Sequence, residues 1–551
     1  MSTPLRRSLD LLADYQAAGA CAAQILCDRH DPTARAFTVI NDDLTSEDLT
    51  YGQLRAESTA VAGSLARLGV GPGDRVATLA GKSRPYLVTV MAIWRLGAVH
   101  VPLFTAFAPA AIAERLAASR AKVVVCDTRQ RPKLTQGRGI TGAYPSHVVV
   151  IRDADDALDP ADLDFAELAT FANSADPTAA VGGDAPMVQI YTSGTTGRPK
   201  AVAIPVKALA TWQTYLEYGL DVTDDDVFWC AADPGWTYGL YVALAGPLAA
   251  GRRSLVVRPQ FNPATTWSVL ARFGITNFAA APTIYRALRG LPTIPERPRL
   301  ALRRASSAGE PLTPEVNQWA PDAIGVPVHD HFGQTEAGML LCNHHHADLA
   351  RPLRPGSMGH PAPGWSAAVL YEDRDQPAPP GTVGRIAFNL ADSPMAWFTG
   401  YLDEPDKTAE KFTADGRWYL TGDTGSCDDD GYFRFHARDD DVIIMAGYRI
   451  GPFDVESVLS SHSAVAECAV IAAPDRMRGE VIEAYVVLAG GTDPSPDLAT
   501  ELQQWVKDGY GAHAHPRTVH FVPDLPKTLS GKLRRNVLRD QRRAELAEVN
   551  G

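Results

Sequence analysis

The sequence lacks several features that mark whole classes of protein. Its seven cysteines are scattered without CxxC spacing, so neither a zinc site nor a disulfide framework is indicated. Basic residues do not cluster except near the C-terminal end, and the net charge is -12, which argues against a nucleic-acid partner. Internal repeats and low-complexity tracts are absent as well. What remains is typical of an intracellular enzyme.

A membrane span and a secretory signal are also missing. The first ten residues have no apolar core, and the longest apolar segment, residues 86–103, is interrupted by Arg95 and His100. For that segment we predict a buried helix followed by a strand, in a cytoplasmic protein. The 551 residues are too many for one hydrophobic core, and the 45% hydrophobic and 21% charged content is ordinary for a globular chain.

Short runs rich in β-branched residues alternate with segments of helical periodicity. Residues 75–79, 122–126 and 146–151 have the composition of buried strands, whereas residues 54–68 and 109–121 have helical spacing. The alternation predicts an α/β fold with parallel sheets, helices on their faces and ligands at the carboxyl ends of the strands. The acidic, Ala-rich residues 153–184 are predicted to form a surface connection.

Residues 191–200 form the most informative segment, because glycines and hydroxyl side chains follow an apolar run there. Glycines allow a tight turn whose N–H groups face an anion, and a lysine adds positive charge. A Walker loop would have the lysine directly after the second glycine, but Arg198 and Pro199 intervene. We predict a different phosphate loop, with a plain surface turn as the alternative. Its expected ligand contacts are Thr192, Ser193, Gly194, Thr195, Thr196, Gly197 and Lys200.

The loop resembles the signature of the adenylate-forming superfamily, which contains acyl-CoA synthetases, luciferases and the adenylation domains of peptide synthetases. Further resemblances follow in chain order at residues 308–311, 330–336, 419–423, 438–452 and 525–532. They are nearest to the medium-chain and acetyl-type acyl-CoA synthetases. The resemblance implies a large multi-lobed N-terminal domain, 1–437, that binds AMP and the acyl group, and a small mobile α+β domain, 438–551.

The resemblance also assigns roles to single residues. It implies that Lys532, Thr335, Glu336 and Lys200 catalyse adenylation, with Glu336 also holding magnesium. The implied hinge between the domains is Asp440. Nucleotide or coenzyme A contacts are implied for Gly309, Glu310, Pro311, Asp330, His331, Phe332, Gly333, Gln334, Asp423, Arg438, Gly447, Tyr448, Arg449 and Arg478. ATP, Mg²⁺ and coenzyme A are therefore the expected cofactors and co-substrates.

The residue types suit these roles. A carboxylate such as Glu336 binds a hard cation that neutralises phosphate charge, and a hydroxyl such as Thr335 donates to oxygens where charge develops. The two oxygens of an aspartate at position 423 can accept from both ribose hydroxyls. A flexible ammonium at Lys532 can follow charge onto the α-phosphate, and a domain rotation can then withdraw it.

An acyl pocket is implied near Trp236, Tyr238 and Gly333. Acetate-specific members of the superfamily carry a tryptophan at the position of Gly333, so its missing side chain predicts a deeper pocket. Each additional buried methylene is worth about 0.8 kcal/mol. The expected acid is therefore larger than acetate, and the sequence leaves short-chain, medium-chain, branched and ring-bearing acids as alternatives.

The resulting hypothesis is an ATP-dependent acyl-CoA synthetase that works through an acyl-AMP. One alternative is an enzyme that loads a carrier-protein thiol, against which Arg478 argues; another is a catalytically silent sensor, against which Glu336 and Lys532 argue. The resemblance is compatible with a homodimer and with a lysine acetyltransferase and deacetylase acting at Lys532. Three adjacent imidazoles do not easily share one metal, so residues 344–346 are interpreted as a polar loop.

Overall fold

The computed structural model describes most of the chain. The described residues are 3–136, 145–153, 156–170, 176–192, 199–291, 299–438, 441–445, 448–475, 479–511, 514–528 and 532–550. Within these ranges, no helix combines the length and the apolar character that crossing a membrane requires.

The strands are β1 (Arg35–Ile40), β2 (Ser46–Thr50), β3 (Arg75–Leu79), β4 (Val99–Pro102), β5 (Val123–Asp127), β6 (His147–Ile151), β7 (Leu163–Asp164), β8 (Pro186–Thr192), β9 (Lys200–Pro205), β10 (Phe228–Cys230), β11 (Ser254–Val257), β12 (Asn277–Ala280), β13 (Arg304–Ala308), β14 (Val328–Gln334), β15 (Gly338–Cys342), β16 (Ser357–Pro361), β17 (Ala367–Leu370), β18 (Gly384–Asn389), β19 (Trp418–Cys427), β20 (Phe433–Arg438), β21 (Ile443–Met445), β22 (Tyr448–Ile450), β23 (Val465–Asp475), β24 (Gly479–Leu488) and β25 (Thr518–Phe521).

The α-helices are α1 (Pro4–Tyr15), α2 (Tyr51–Arg67), α3 (Arg84–Arg95), α4 (Pro109–Ser119), α5 (Arg131–Gln136), α6 (Phe165–Ala169), α7 (Leu209–Thr214), α8 (Thr237–Gly239), α9 (Gly246–Ala250), α10 (Pro263–Arg272), α11 (Pro282–Arg289), α12 (Pro314–Ile324), α13 (Pro405–Ala409), α14 (Pro452–Ser460), α15 (Pro496–Gly509) and α16 (Arg535–Asn550). Short π-helical segments cover Gln24–Asp28, Tyr215–Gly219 and Leu240–Ala245, and 3₁₀ turns cover Val206–Ala208 and Leu390–Asp392.

Two large sheets carry most of the chain before β21. One has the order β7-β6-β5-β3-β4-β8-β9, and all its neighbours are parallel except the β8–β9 hairpin. The other has the order β17-β18-β19-β20-β16-β15-β14-β13-β12-β10-β11-β1-β2, and it is parallel from β14 to β1. In both sheets a parallel region therefore gives way to antiparallel strands, at β8 and at β14.

A third, smaller sheet follows at the C-terminal end of the chain. It has the order β22-β21-β24-β23, and β25 pairs with β24. Its apolar cluster extends from Ile443 to Ala514 and contains buried residues of α14 and α15. This part thus has a hydrophobic core of its own. The α/β architecture with large parallel-rich sheets and helices agrees with the expectation from the sequence.

Several expectations for single elements are confirmed, and others need correction. The predicted buried helix and strand of residues 86–103 are α3 and β4. Helix α2 begins at Tyr51 rather than at residue 54, because Thr50 and Gln53 form a capping box. The prediction of a surface connection over residues 153–184 was wrong in part, since β7 and α6 lie there and Asp164 is buried.

Candidate active site

Four strand ends converge on the candidate site. The phosphate loop follows β8, residues 233–238 follow β10, residues 309–311 follow β13, and residues 330–336 lie at the end of β14. All four are the carboxyl ends of strands in the parallel regions, which is where α/β sheets place their ligands. The sequence motifs are therefore brought to equivalent edges of the two large sheets.

The ends of the phosphate loop are set by an antiparallel hairpin. β8 ends at Thr192 and β9 begins at Lys200, and these residues are partners in its register. Thr192 and Lys200 thus stand where the predicted loop begins and ends. The other predicted contacts lie outside the described residues; they are Ser193, Gly194, Thr195, Thr196 and Gly197.

A tyrosine connects the loop lysine to the predicted magnesium ligand. The Lys200 ammonium lies 4.7 Å from the centroid of the Tyr401 ring. The Tyr401 hydroxyl donates to Oε1 of the buried Glu336 at 2.6 Å. Burial and the Glu336 carboxylate raise the pKa of Tyr401, so its hydroxyl keeps the proton that it donates. The Tyr401 side chain therefore contacts both the loop lysine and the predicted magnesium ligand.

Thr335 lies between the expected phosphate and acyl regions. Its hydroxyl is 2.9 Å from the Thr237 hydroxyl, and its carbonyl accepts from the Tyr241 hydroxyl at 3.1 Å. Thr237 directly follows Trp236, whose ring packs against Phe104 with a centroid distance of 5.2 Å. The predicted α-phosphate contact is thus adjacent to one of the predicted walls of the acyl pocket.

Gln334 links β14 to β19. Its side-chain nitrogen donates to Asp423 Oδ2 at 2.7 Å and to the Thr421 carbonyl at 2.9 Å, while its oxygen accepts from the Tyr419 hydroxyl at 2.7 Å. Arg438 is the partner of Asp423 in the β19–β20 register. The residues predicted to bind ribose, Asp423 and Arg438, are therefore neighbours and are held against the β14 motif.

Asp330 is buried and incompletely bonded. Its Oδ2 accepts weakly from the Leu312 N–H at 3.3 Å, and its Oδ1 has no partner among the described residues. Burial raises the pKa of Asp330 to about 8. The unpaired Oδ1 is available to a ligand, in addition to the backbone groups near Asp330 that the resemblance implies for adenine.

The predicted adenine turn, residues 309–311, is built around a paired glutamate. The Glu310 carboxylate accepts from Arg286 at 2.8 Å and from Thr283 at 2.9 Å. Gly309 has φ +100, a conformation that favours glycine. The Glu310 side chain is thus engaged within the protein, which leaves the backbone of Gly309, Glu310 and Pro311 to face a ligand.

Lys532 belongs to the same site although it comes from the C-terminal part of the chain. Its ammonium interacts electrostatically with Glu310, Arg438, Asp423 and Glu336. The side chain itself is exposed. Its backbone N–H donates to the Thr528 hydroxyl at 3.0 Å. The role of Lys532 in adenylation stays a prediction.

His331 is engaged entirely inside the protein. Its Nδ1 lies 2.7 Å from the Tyr215 hydroxyl, and its Nε2 lies 3.1 Å from the Asn343 carbonyl. Tyr215 in turn lies 3.0 Å from the Tyr238 hydroxyl. A nucleotide contact by His331 would therefore use its backbone. Its neighbour Phe332 pairs with Leu341 across the β14–β15 hairpin.

The interpretation of residues 344–346 as a polar loop needs correction, because His344 and His345 are buried. The His345 ring stacks on His329 with a centroid distance of 3.6 Å and an interplanar angle of 18°. Nitrogen atoms of His329, His331 and His345 lie within 4.8 Å of one another. A metal lies in the plane of each ligating imidazole, and nearly parallel stacked rings do not direct their lone pairs to one point. These histidines therefore form a packed cluster.

Gly333 does not open onto empty space, which corrects the basis of the deeper-pocket expectation. A Cβ at this position would collide with the Gly338 carbonyl oxygen and lie 2.6 Å from Met339 Sδ. The space beside the glycine is filled by the opposite strand of the hairpin. Met339 rather than a void therefore occupies the direction in which a side chain at position 333 would extend.

Some predicted residues cannot be placed. Asp440, Gly447 and Arg478 lie outside the described residues, and the side chains of Tyr448 and Arg449 are likewise not described.

The sequence analysis missed several residues of the site. Tyr401 binds Glu336, Tyr419 binds Gln334, and Lys411 donates to the Thr421 carbonyl at 2.7 Å. Desolvation lowers the pKa of Lys411, and the Glu336 carboxylate opposes this. Tyr419 begins the motif at residues 419–423, which was a usable signal, whereas Tyr401 lies outside the motifs named above. The sequence gives no signal for Lys411, because it is a single lysine in the polar turn that follows α13.

Comparison with known families gives two matches. The model described as AMP-binding enzyme matches residues 27–402, and the model described as AMP-binding enzyme C-terminal domain matches residues 454–532.

Individual proteins are similar over nearly the whole chain. An acetyl-coenzyme A synthetase of Bacillus subtilis (strain 168) is 34% identical over 527 residues, which cover 94% of this chain and 90% of that protein. The mitochondrial acyl-coenzyme A synthetase ACSM4 of Homo sapiens is 37% identical over 487 residues, covering 86% and 80%.

Solved structures agree in fold. An acyl-CoA synthetase of Brucella canis has a TM-score of 0.76 and 39% identity, covering 98% of this chain and 97% of that one. The anthranilate CoA ligase AuaEII, in complex with anthranoyl-AMP, has a TM-score of 0.86 and 27% identity, covering 96% and 98%.

Proposed function

Because this chain belongs to the family of AMP-binding enzymes, we propose that it is an ATP-dependent acyl-CoA synthetase that acts through an acyl-AMP. The observation that carries the proposal is the convergence of Thr335, Glu336 and Lys532 with Asp423 in one site. Thr335, Glu336 and Asp423 come from the sheet that contains β14 and β19, whereas Lys532 comes from the C-terminal part of the chain. Such a convergence suits a reaction that develops charge on phosphate.

The first half-reaction forms a mixed anhydride. A carboxylate oxygen of the acid attacks the α-phosphorus of ATP, the new P–O bond forms, and the bond to the β-phosphate bridging oxygen breaks, so that pyrophosphate leaves. Lys532 and the Thr335 hydroxyl donate to the oxygens that gain charge, and Lys200 neutralises the leaving group. Proton transfer and a protein nucleophile are not required.

Magnesium fits the Glu336 region. Glu336 is a buried carboxylate whose Oε1 accepts from Tyr401, and no described residue forms an ion pair with it. A hard cation with oxygen ligands suits such a carboxylate. When bound, Mg²⁺ would neutralise phosphate charge. The chain's own contribution is to orient the carboxylate through Tyr401 and to hold Lys200 beside the same ring.

The second half-reaction transfers the acyl group to coenzyme A. The thiolate sulfur attacks the acyl carbonyl carbon, a C–S bond forms, and the C–O bond to phosphate breaks with release of AMP. We propose that residues 438–551 form a mobile domain that turns about Asp440 between the two steps, with residues 1–437 as the fixed domain. Gly447, Tyr448, Arg449 and Arg478 are proposed to contact coenzyme A, as the resemblance implies.

We make three further proposals, on the substrate, on acetylation and on location. We propose an acid larger than acetate only because Gly333 stands where acetate-specific members of the superfamily carry a tryptophan. Trp236 and Tyr238 are the proposed walls of the acyl site, and Met339 beside Gly333 limits the length of the acid. Acetylation of Lys532 inactivates the first step, because it removes the ammonium charge. We propose a cytoplasmic location for the enzyme. Full adenylation activity in protein that mass spectrometry shows to be acetylated at Lys532 would contradict the proposal on acetylation.

The test of function uses the full-length protein with ATP, MgCl₂ and coenzyme A, and a panel of acids from acetate to octanoate that includes branched and benzoic acids. We expect acid-dependent release of pyrophosphate and a matching acyl-CoA mass in the products. Tyr401→Phe should weaken this activity about tenfold or more, because a hydrogen bond to a charged group is lost. Tyr432→Phe is the matched control, since its hydroxyl donates to the Pro352 carbonyl, not to a residue of the site.

The outcomes separate the alternatives. Pyrophosphate release without acyl-CoA, but with acylation of a supplied carrier-protein thiol, would favour a carrier-loading enzyme. Binding of ATP without any acid-dependent pyrophosphate would favour a silent sensor and would end the proposal.

A further inference from the structure

A chain of hydrogen bonds leads from the backbone at Asn343 to the predicted acyl wall. The Asn343 carbonyl contacts His331 Nε2 at 3.1 Å, His331 Nδ1 contacts the Tyr215 hydroxyl at 2.7 Å, and Tyr215 contacts the Tyr238 hydroxyl at 3.0 Å. His331 belongs to β14, Tyr215 to a π-helical segment and Tyr238 to α8. Three separate elements are thus joined by one polar path.

The direction of every proton in this path is determined. A carbonyl oxygen only accepts, so His331 Nε2 carries a hydrogen. Burial lowers the pKa of His331 well below its usual value, so the ring is neutral and Nδ1 is an acceptor. The Tyr215 hydroxyl must therefore donate its single proton to Nδ1. Tyr238 must then donate to the Tyr215 oxygen, which leaves the Tyr238 oxygen with acceptor lone pairs only.

The acceptor end of the path is also its accessible end. His331 and Tyr215 are buried, whereas Tyr238 is half-buried. No described residue donates to the Tyr238 oxygen. The preceding residue, Thr237, lies 2.9 Å from the Thr335 hydroxyl at the proposed reaction centre. Tyr238 therefore follows directly in the chain a residue that contacts the proposed reaction centre.

We propose that Tyr238 is a specificity-determining residue that accepts a hydrogen bond from the acyl portion of the substrate. The preferred substrates are then carboxylic acids that carry a hydroxyl or N–H donor. This inference rests on the proposed function and specifies its substrate class. Acids that carry only an acceptor, such as a ketone or a second carboxylate, would face the tyrosine lone pairs and are disfavoured.

The first experiment compares acids of equal size. The first series consists of three pentanoates that differ at carbon 4, which bears a hydroxyl, a ketone oxygen or a methyl group. The second series consists of benzoates that bear a hydroxyl, amino, methoxy or methyl group at each ring position. We expect kcat/KM of the wild-type enzyme to favour the best donor acid over its methyl counterpart by about tenfold or more. A ratio near one in both series would overturn the inference.

Two substitutions then test the direction of the path. Tyr238→Phe removes the acceptor, so the donor preference should fall to near one. Tyr215→Phe removes the partner of the Tyr238 proton, which then turns toward the ligand as a donor, so the preference should shift from the hydroxyl acid to the keto acid. Each measurement is the ratio of kcat/KM for two acids with the same variant. A general loss of activity lowers both values and leaves their ratio unchanged.

A distant tyrosine supplies the matched control. Tyr51 is buried and its hydroxyl donates to the Arg252 carbonyl at 3.4 Å, away from the site, so Tyr51→Phe should keep the wild-type ratio. If Tyr215→Phe is too unstable to assay, Tyr238→Phe alone still tests the inference. Tyr238 is half-buried, so its substitution is expected to disturb the fold less. Failure of all acids to form a thioester would refute the proposed function; thioester formation without donor preference would refute only this inference.

Discussion

A second lysine in the same motif, Lys527, provides a control for substitutions of Lys532. Lys527, five residues earlier, bonds to the Glu467 carboxylate at 2.6 and 2.8 Å within the C-terminal part. Lys532 instead lies among the charges of Glu310, Asp423 and Glu336. The two lysines thus share a motif but differ in surroundings.

We predict that Lys532→Ala lowers the rate of pyrophosphate release by about a hundredfold or more, because a donor to the developing phosphate charge is lost. Thioester formation from supplied acyl-AMP and coenzyme A should be retained, since that step does not use this donor. Lys527→Ala is the control and should keep both steps. Equal loss of both half-reactions in Lys532→Ala would contradict the assignment.

Asp330 predicts a pH dependence of stability. Its pKa is about 8 in the folded protein, above its ordinary value in an unfolded chain, so the folded state holds this proton more tightly. Stability from this group is therefore present at low pH and is lost as pH rises toward 8. Asp330→Asn is neutral throughout, so its melting temperature relative to wild type should increase between pH 6 and pH 8. A difference in Tm that is constant over this interval would show that Asp330 does not titrate there.

At the scale of elements, the β14–β15 hairpin is tightly packed around Gly333. Its register shifts between Phe332 and Gly333, and Gly338 at its turn has φ +77. Met339 packs into the direction in which a side chain at position 333 would extend. The hairpin therefore fixes the positions of Gln334 and Glu336 through close backbone packing.

We predict that Gly333→Ala destabilises the protein by about 1 to 3 kcal/mol, because the added methyl group collides with Gly338 and Met339. Gly19→Ala is the control, since a Cβ there would meet nothing within 4 Å. Thermal unfolding checks the difference. A Gly333→Ala variant as stable as Gly19→Ala would show that the hairpin accommodates a side chain.

The sequence predicted elements better than it predicted contacts between them. The strands β3, β5 and β6 were recognisable because buried parallel strands are nearly continuous apolar runs. The short elements β7 and α6 were missed, since two- and five-residue elements carry too little periodicity.

The candidate site shows the same division. Motif residues such as Thr335, Glu336 and Asp423 could be named from the resemblance to the adenylate-forming superfamily, and ligands could be expected at the carboxyl ends of the parallel strands. The Tyr401–Glu336 and Tyr215–His331 hydrogen bonds join residues 65 and 116 positions apart, so only the folded chain shows them. The space beside Gly333 was misjudged because its occupant, Met339, comes from the opposite strand.

At the scale of the whole molecule, the C-terminal part packs against β20 of the large sheet. Helix α14 packs against β20, where the Asp454 carboxylate lies 3.1 Å from His436 Nδ1, and Lys532 stands among the residues of the nucleotide site. This arrangement suits adenylation. The proposed thioester step needs the Lys532 loop to leave, because a thiol must reach the same acyl carbon.

The connection between β20 and β21 is therefore where a rotation would have to occur, and Asp440 lies within it. Proline holds φ near -65° and lacks an N–H, so Asp440→Pro should restrict the backbone change that the rotation requires. We predict that this variant retains pyrophosphate release but forms acyl-CoA from acyl-AMP at least about tenfold more slowly. Single-turnover measurement of each half-reaction tests this, with Asp440→Ala as the control that removes the carboxylate without fixing φ. If Asp440→Pro forms the thioester at the wild-type rate, the domains do not turn at this residue; if Asp440→Ala is equally slow, the carboxylate rather than backbone freedom is what the step requires.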